Sequence, residues 1–444
     1  MPHTDADLAA YAEKLTEQGV RLVAGSIVDL GGIARAKYVP TARLAAFHRV
    51  GMGAAPCWSV FCIDGSIAFT PEIGVVGDLR VRIDPADLRV VEDGVAWAPG
   101  ELHTQGGESD AMCARSALRR VVATGEDLGL TALVGAELEC TLLGPDCGHA
   151  TSGPRSPYGL RTSLELTAFL TDLTESAARV GLGLEQVHLE YGHDQLEISL
   201  SPAAPVRAAD DVILARIVLG RAAARHGMQV SFSPAPFPGE VGNGAHLHLS
   251  LATSDGPVFG GGTGPHGLTP AGEAAIAGVL DSLPRLVGLY AGSVLSATRL
   301  QPGNWAGAAA CWGLENREAA VRLVAAGPGS AHGANIELKI VDPSANPYLA
   351  VAALLGSAQH GIAAALPLPD EVPGNPADST AELPALPIGQ VAAIDALATS
   401  AVALRILGAP IVAGLLAVRR YEIGAFPDPS SPEVAEGLRL AWSC

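Results

Sequence analysis

The stretch VGAELEC, residues 134–140, sets two acids, Glu137 and Glu139, in alternation with apolar residues. A period of two is that of a β-strand, so both carboxylates point to one face of a sheet. Burying a pair of carboxylates in such a place is costly unless cations meet them. Three further stretches supply groups of the same kind. HLEYGHDQLEISLSP (188–202) offers Glu190 and Glu197 around a turn at Gly192. GNGAHLHLSL (242–251) puts His246 and His248 on one face of another strand, and NIELKIVDP (335–343) carries Glu337 two residues before Lys339.

Five carboxylates and two imidazoles in strand-like settings exceed what a folded core normally tolerates. An oxygen-rich set with an occasional imidazole suits Mg²⁺ or Mn²⁺ rather than a structural zinc, and such an ion is commonly the partner of ATP. Taken singly each motif is weak, because an alternating acid pair is usually an exposed face and an HxH strand usually a satisfied pair. Their joint order carries the weight.

A second constellation is cationic: Arg299 in TRLQPG (298–303), then Arg317 and Arg322 in ENREAAVRL (315–323). A guanidinium presents a fixed fork to carboxylate or phosphate oxygens. Phosphoryl transfer needs both cations and arginines around the migrating group, since its catalysis is mostly positioning and charge stabilisation. No GxxxxGK[ST] stretch is present, so a nucleotide must be held by another scheme.

The bulk of the chain fits this reading. At 444 residues two domains are expected. A net charge of −18 argues against nucleic acid or anionic membrane as partner and favours small molecules, metals and other copies of the chain. The opening MPHTDADLAAYAEKL lacks the basic-then-apolar order of a secretory signal, and no charge-free apolar run reaches membrane-spanning length, so a cytoplasmic location is expected. Seven cysteines without a CxxC pair suggest buried apolar residues rather than zinc ligands or nucleophiles.

Residues 5–18 read as an amphipathic helix, followed by strands VRLVAGSIVDL and IARAKYVP joined at Gly31-Gly32. Strand-like pieces continue through 57–69 and 75–91, and a helix is expected over ARSALRRVVATGEDL. The boundary is placed near residue 108. Beyond it, helices at 163–180, 209–227, 270–291 and 346–362 alternate with β-rich segments, a Pro-rich loop covers 366–388, and helices near 391–420 finish the chain.

With those residues in hand, the chain resembles the glutamine synthetase superfamily from DLGGIARAKYVP (29–40) to the terminal helices, and within it the glutamate–amine ligases. The resemblance implies an α+β fold: a small N-terminal β-grasp domain (1–108) and a catalytic domain (109–444) built on a curved antiparallel sheet. It implies ATP and two or more Mg²⁺ or Mn²⁺ ions per site. Glu139, Glu190 and Glu197 would hold one metal, and Glu137, His246 and Glu337 the other. His248 and Arg322 would face the ATP phosphates, Ser250 the nucleotide, Arg299 the α-carboxylate of glutamate and Arg317 the transferred phosphoryl group, with Gly242 and Lys339 also on the substrate side. Asp64 of a DGS motif (64–66) would enter the neighbouring subunit's site in a ring, typically two stacked hexamers forming a dodecamer, to bind the incoming ammonium and take its proton.

Departures from the family pattern point to the acceptor. Where ammonia-using members carry PGYEAP, this chain reads PGNWAG (302–307), placing Trp305 where a glutamate stands. An indole is no base, but its face contacts alkyl groups and attracts an ammonium head. An alkylamine, ethanolamine or polyamine is therefore expected as acceptor, with Trp312 and Tyr158 as further pocket candidates. The family's arginines around the last metal glutamate are Asn335 and Lys339 here, Ala235 in SPAP (233–236) replaces a lysine, and VGNG (241–244) replaces NGSG. A glutamine synthetase that uses ammonia and a non-catalytic ring-forming homologue remain as alternatives.

Overall fold

Asp29, Leu30, Gly31 and Gly32 reverse the chain between strands β1 (Leu22–Val28) and β2 (Ala34–Pro40), which pair antiparallel. Gly32 sits at φ 87°, and a Cβ there would lie 2.2 Å from the Ser344 carbonyl oxygen, so this turn accepts only glycine. The computed structural model describes residues 4–71, 73–153, 156–328, 332–379 and 382–444. Ahead of the hairpin, Thr4 and Asp7 form a reciprocal capping box that starts the helix Asp5–Glu17.

The hairpin belongs to a six-stranded sheet completed by β3 (Met52–Ala54), β4 (Leu79–Ile83), β5 (Arg89–Glu92) and β6 (Val95–His103), in the order β2-β1-β6-β4-β3 with β5 also on β6. β1 and β6 run parallel. Residues such as Val23, Ile27, Phe47, Val81 and Leu102 form its own core. The stretch 57–69, expected as strand, is instead a 3₁₀ turn at Pro56–Ser59 and an isolated Phe61–Ile67 bridge around Asp64. Pro56 pre-sets that turn, and Gly65 at φ 84° tightens the next one. Of 75–91 only β4 and the start of β5 are strand.

The second sheet has nine strands: β7 (Thr131–Leu143), β8 (Leu184–Leu189), β9 (Gln195–Ala203), β10 (Gln229–Ser231), β11 (Leu247–Thr253), β12 (Gly256–Pro257), β13 (Ala309–Leu314), β14 (Ala319–Val324) and β15 (Asn335–Leu338). Its order is β13-β14-β15-β11-β7-β9-β8, antiparallel apart from the β13–β14 pair, with β10 on β7 and β12 on β11. Its concealed face packs on the helices Pro205–Arg225 and Pro347–Ala364, whose buried residues lie on nearly every side.

The helices break where their chemistry requires it. The segment expected as one helix over 270–291 is Pro270–Ser282, a 3₁₀ turn Leu283–Arg285 and Val287–Tyr290, because Pro284 has no N–H to continue the ladder. Likewise 391–420 divides into Gln390–Ala398, Ala401–Leu407 and Ala409–Ala425, the last break falling at Gly408, φ 86°. Helix 163–180 is two pieces meeting at Leu166. The Pro-rich interval is loop with one 3₁₀ turn; its positions 380–381 lie outside the described residues.

The two sheets are joined by polar and apolar contacts. Arg115, on the helix Ala114–Asp127, donates to Asp210 at 2.9 and 2.8 Å and to Glu101 of β6 at 2.7 Å, while Tyr348 donates to Asp210 at 2.7 Å. Asn346 donates to the Val28 and Asp29 carbonyls, and the Trp442 indole N–H to that of Gly31. The tip of the first hairpin thus seats in the large core.

Candidate active site

Strand register gathers the groups that the sequence keeps far apart. Across β7, β9 and β8, Glu139 stands opposite Glu197 and Glu197 opposite His188. Across β11, β15 and β14, His248 stands opposite Glu337 and Glu337 opposite Arg322. These two rows flank Glu137 on β7, because β11 and β9 are the neighbours of that strand. The alternation read from VGAELEC is observed: Glu137 and Glu139 are half-buried on one face while Leu138 is buried on the other.

His246 lies at the centre. It precedes the first residue of β11, but its carbonyl still accepts the Glu137 N–H, which keeps it in register. Its Nδ1 is 3.2 Å from Glu137 Oε2 and 3.4 Å from Glu337 Oε1, and its Nε2 is 3.7 Å from Glu139 Oε1. His248 donates from Nδ1 to Asn335 Oδ1 at 2.9 Å, which aims Nε2 at Glu137 Oε1, 3.5 Å away. Asn335, read from the sequence as a lost arginine, therefore orients an imidazole.

On the other side, Glu190 accepts from His188 Nε2 at 2.8 Å and from the Tyr158 hydroxyl at 2.9 Å. His188 is also 3.8 Å from Glu197. Glu139 turns one oxygen to Gln195 Nε2 and the Gly244 N–H, both 2.7 Å away. Three overlapping groups have donor atoms close enough to share a cation: Glu137, Glu197 and His246; Glu137, His248 and Glu337; and His188, Glu190 and Glu197. The six side chains singled out as ligands thus converge, and His188 joins them. Its signal was available, two residues before Glu190 on the same strand face.

The electrostatics show a cluster short of positive charge. Burial, then Glu137, Glu139 and Glu190, push the Glu197 carboxyl up to about 9. Burial also opposes ionisation of Glu337, but Lys339, His246 and His248 outweigh it and hold the group low, at about 2. For Glu137 burial is again overcome, here by hydrogen bonds from His246 and His248, so it stays ionised. One carboxylate kept protonated among ionised neighbours is what a site built for added cations displays without them. The donor set, carboxylate oxygens with imidazole, fits hard divalent ions such as Mg²⁺ or Mn²⁺.

The cationic residues divide. Arg322 donates to Glu337 Oε2 at 3.1 Å and to Glu315, and the 4 % exposed Lys339 donates from Nζ to Glu337 Oε1 at 3.0 Å. Arg299 is buried, donating to the carbonyls of Ile340 and Lys339 and to His246 Nε2 at 3.2 Å. Two glycines make room for it: a Cβ at Gly242 would be 3.0 Å from the Arg299 Cβ and 2.2 Å from the Pro234 carbonyl, and one at Gly244 would be 2.7 Å from Arg299 Nη2. Arg317 is exposed; it lies near Tyr158, whose hydroxyl burial and then Glu190 push up to about 12, with Arg317 only partly opposing them. Ser250 follows His248 on the same face of β11.

Three residues differ in setting from the rest. Asp64 is exposed and held by the helix Ala409–Ala425, accepting from the Tyr421 hydroxyl at 3.1 Å and from Ser66, rather than touching the cluster. Trp305 is 60 % exposed at φ 55°, its backbone N–H donating to Glu318 Oε1 at 3.0 Å. Trp312 corrects the sequence reading: it is 1 % exposed, its indole N–H on the Pro369 carbonyl, so it packs in the core and lines no open pocket. Ala235 is buried as well.

A curved antiparallel sheet whose one face gathers carboxylates, imidazoles and arginines is the arrangement of a cation-assisted ligase. The chain belongs to the glutamine synthetase family: the profile of the glutamine synthetase catalytic domain matches residues 111–434. It is 39 % identical to a gamma-glutamylpolyamine synthetase of Streptomyces coelicolor, over 98 % of this chain and 96 % of that protein. It is 31 % identical to a gamma-glutamylethanolamide synthetase of the same organism, over 79 % of this chain and 76 % of that protein. Among solved structures it resembles a glutamine synthase homologue with TM-score 0.87 and 31 % identity, covering 95 % of this chain and 99 % of that one.

Proposed function

We propose that this chain joins the γ-carboxylate of L-glutamate to an organic amine, using ATP, through γ-glutamyl phosphate. The convergence of Glu137, Glu139, Glu190, Glu197, His246 and Glu337 on one sheet face carries the ligase chemistry. Divalent ions held there, two or more per site, would neutralise charge on the ATP phosphates and on the acyl phosphate. His248 and Arg322 face the phosphate chain and Ser250 the nucleotide. Arg322 also donates to Glu337, which Lys339 and the two imidazoles hold ionised against its burial.

Arg299 binds the α-carboxylate of glutamate, with Gly242 leaving the space it needs. Arg317, exposed and without an ion pair among the described residues, stabilises the phosphoryl group as it moves. The amine then attacks the acyl carbon and phosphate leaves. Asp64, presented on the outside of its own subunit, is available to the site of a neighbour in a ring, where it takes the amine's proton; a dodecamer is the assembly this reading expects.

Trp305 supports an organic amine over ammonia, because an exposed indole offers a face to alkyl carbon and to an ammonium head and offers no base. The two named Streptomyces relatives act on a polyamine and on ethanolamine by their names, which supports the same class. The purified chain with ATP, Mg²⁺ and glutamate is expected to release phosphate with a polyamine, ethanolamine or alkylamine well above its rate with ammonia, and mass spectrometry to find the γ-glutamyl amide. Ammonia as the best acceptor would overturn the Trp305 argument.

A further inference from the structure

A second group of imidazoles lies outside the cluster just described. His149 sits in the loop after β7, His193 and Asp194 in the turn between β8 and β9, and Glu240 in the loop before Gly242. Nδ1 of His149 and Nε2 of His193 are each 3.7 Å from Asp194 Oδ2. Both nitrogens are shielded from solvent and have no hydrogen-bond partner. Glu240 lies behind His149, its two oxygens 3.3 and 3.1 Å from Nε2.

That carboxylate decides the tautomer. Glu240 accepts the Nε2 proton, so a neutral His149 presents a bare Nδ1 lone pair toward Asp194, whose Oδ2 also carries lone pairs. A carboxylate behind a histidine whose other nitrogen faces a buried acceptor is the outer-sphere arrangement of metal-binding imidazoles. Asp194 is 4 % exposed and already fixed by Thr151, whose N–H donates to it at 2.9 Å. Asp194 sits at φ 55°, a conformation aspartate tolerates better than most residues. The rings are pre-stacked, His149 on His193 at 4.0 Å and on Phe237 at 4.1 Å, with the Arg439 guanidinium 4.3 Å above Phe237.

We propose that His149, His193 and Asp194 form a second cation site, for an imidazole-preferring ion such as Zn²⁺, separate from the carboxylate cluster. Two nitrogens and one carboxylate suit a borderline transition ion rather than Mg²⁺, and solvent completes four-coordination. The donor atoms lie within 4.8 Å of one another. Ligation at about 2.0–2.2 Å requires them to draw together and the imidazoles to rotate out of their stack until each lone pair points at the ion. The ion would then clasp the loop after β7 to the β8–β9 turn, which leads directly to Glu190 and Gln195, with Glu240, two residues before Gly242, braced behind His149, and so stiffen one wall of the candidate active site.

The test uses the full chain, stripped with a chelator and returned to millimolar Mg²⁺ so that the carboxylate cluster is occupied, then titrated with Co²⁺. One equivalent with visible d–d absorption of four-coordinate strength is expected, together with a rise in Tm. His149→Gln and His193→Gln should each abolish that absorption and that rise, and Glu197→Gln, in the other cluster, should keep them. An unchanged Co²⁺ signal in both histidine variants, or its loss in Glu197→Gln alone, overturns the proposal. X-ray absorption of the Zn²⁺-loaded wild-type chain under the same Mg²⁺ decides without a variant. A shell with two imidazoles supports the site; one with none or one means that the pair forms only an imidazolium–carboxylate contact.

Discussion

Glu197 provides a quantitative check on the cation site. Its carboxyl ordinarily titrates near 4.5 and is held at about 9 in the folded chain by burial and by Glu137, Glu139 and Glu190. Between those two values the folded chain binds a proton that the unfolded chain has released, so stability falls as pH rises through the window. His188 and His248, both raised, act with the same sign above about pH 6.5: the first chiefly through its bond to Glu190, the second because Glu137 and Glu337 outweigh its burial. Glu137 and Glu337 are lowered, and their contribution is lost only in acid, as pH falls below the ordinary carboxylate range.

Holding Glu197 ionised near pH 7.5 without a cation therefore costs on the order of 2–4 kcal/mol. With about 2 cal/mol/K of unfolding entropy per residue, a chain of this length shifts its Tm by roughly 1 °C per kcal/mol. The metal-free protein should lose ~2–4 °C between pH 5.5 and 7.5 relative to the Mg²⁺-loaded protein in parallel differential scanning fluorimetry. Glu197→Gln should flatten the metal-free curve between about pH 5.5 and 6.5, below the range in which His188 and His248 contribute, and at the same time weaken Mn²⁺ binding. Parallel curves with and without Mg²⁺, or a metal-free slope below about pH 6.5 that survives in Glu197→Gln, would refute the reasoning.

Lys339→Met leaves the 1 % exposed Glu337 with Arg322 as its remaining close cation, and denaturant melts should show about 3 kcal/mol of lost stability in the metal-free state, part of it returned by Mg²⁺. Trp305→Ala is expected to raise the KM for the preferred amine roughly tenfold while leaving the KM for ATP in place, as steady-state phosphate release would show. Gly242→Ala should abolish turnover, because its Cβ would collide with the Pro234 carbonyl at 2.2 Å and crowd Arg299; glutamate protection against proteolysis should vanish with it. Arg115→Met removes the cation shared by Asp210 and Glu101, and a cost of about 3–5 kcal/mol in urea melts is expected, with amine selectivity among surviving molecules unchanged.

Much of this was legible in the chain because strands write their geometry into sequence. Period-two alternation placed Glu137 with Glu139 and Glu337 with Lys339, and Gly31-Gly32 announced the first hairpin. Helix existence was equally plain, but its interruptions at Pro284 and Gly408 depended on local backbone chemistry that a broad apolar pattern hides. The stretch around Asp64 read as strand because Val60, Phe61 and Ile63 are strand-forming residues, although Val60 and Ile63 answer to the core beside them and Phe61 to the Arg35 guanidinium rather than to a ladder. Trp312 misled in the same way, since an indole suits a pocket and a core alike until its neighbours are known.

What residues 1–444 decided by themselves is the kind of group available and the strand face on which each stands, because that follows from identity and from a two-residue repeat. Which groups meet was left to the tertiary structure. Opposition of Glu139, Glu197 and His188, or of His248, Glu337 and Arg322, depends on cross-strand register, and the β7–β9 and β11–β15 pairings that join the local hairpins link segments dozens of residues apart. The same holds for charge: no local pattern says that Glu197 keeps its proton while Glu337 gives its own up, since that balance comes from burial and from neighbours brought in by other strands.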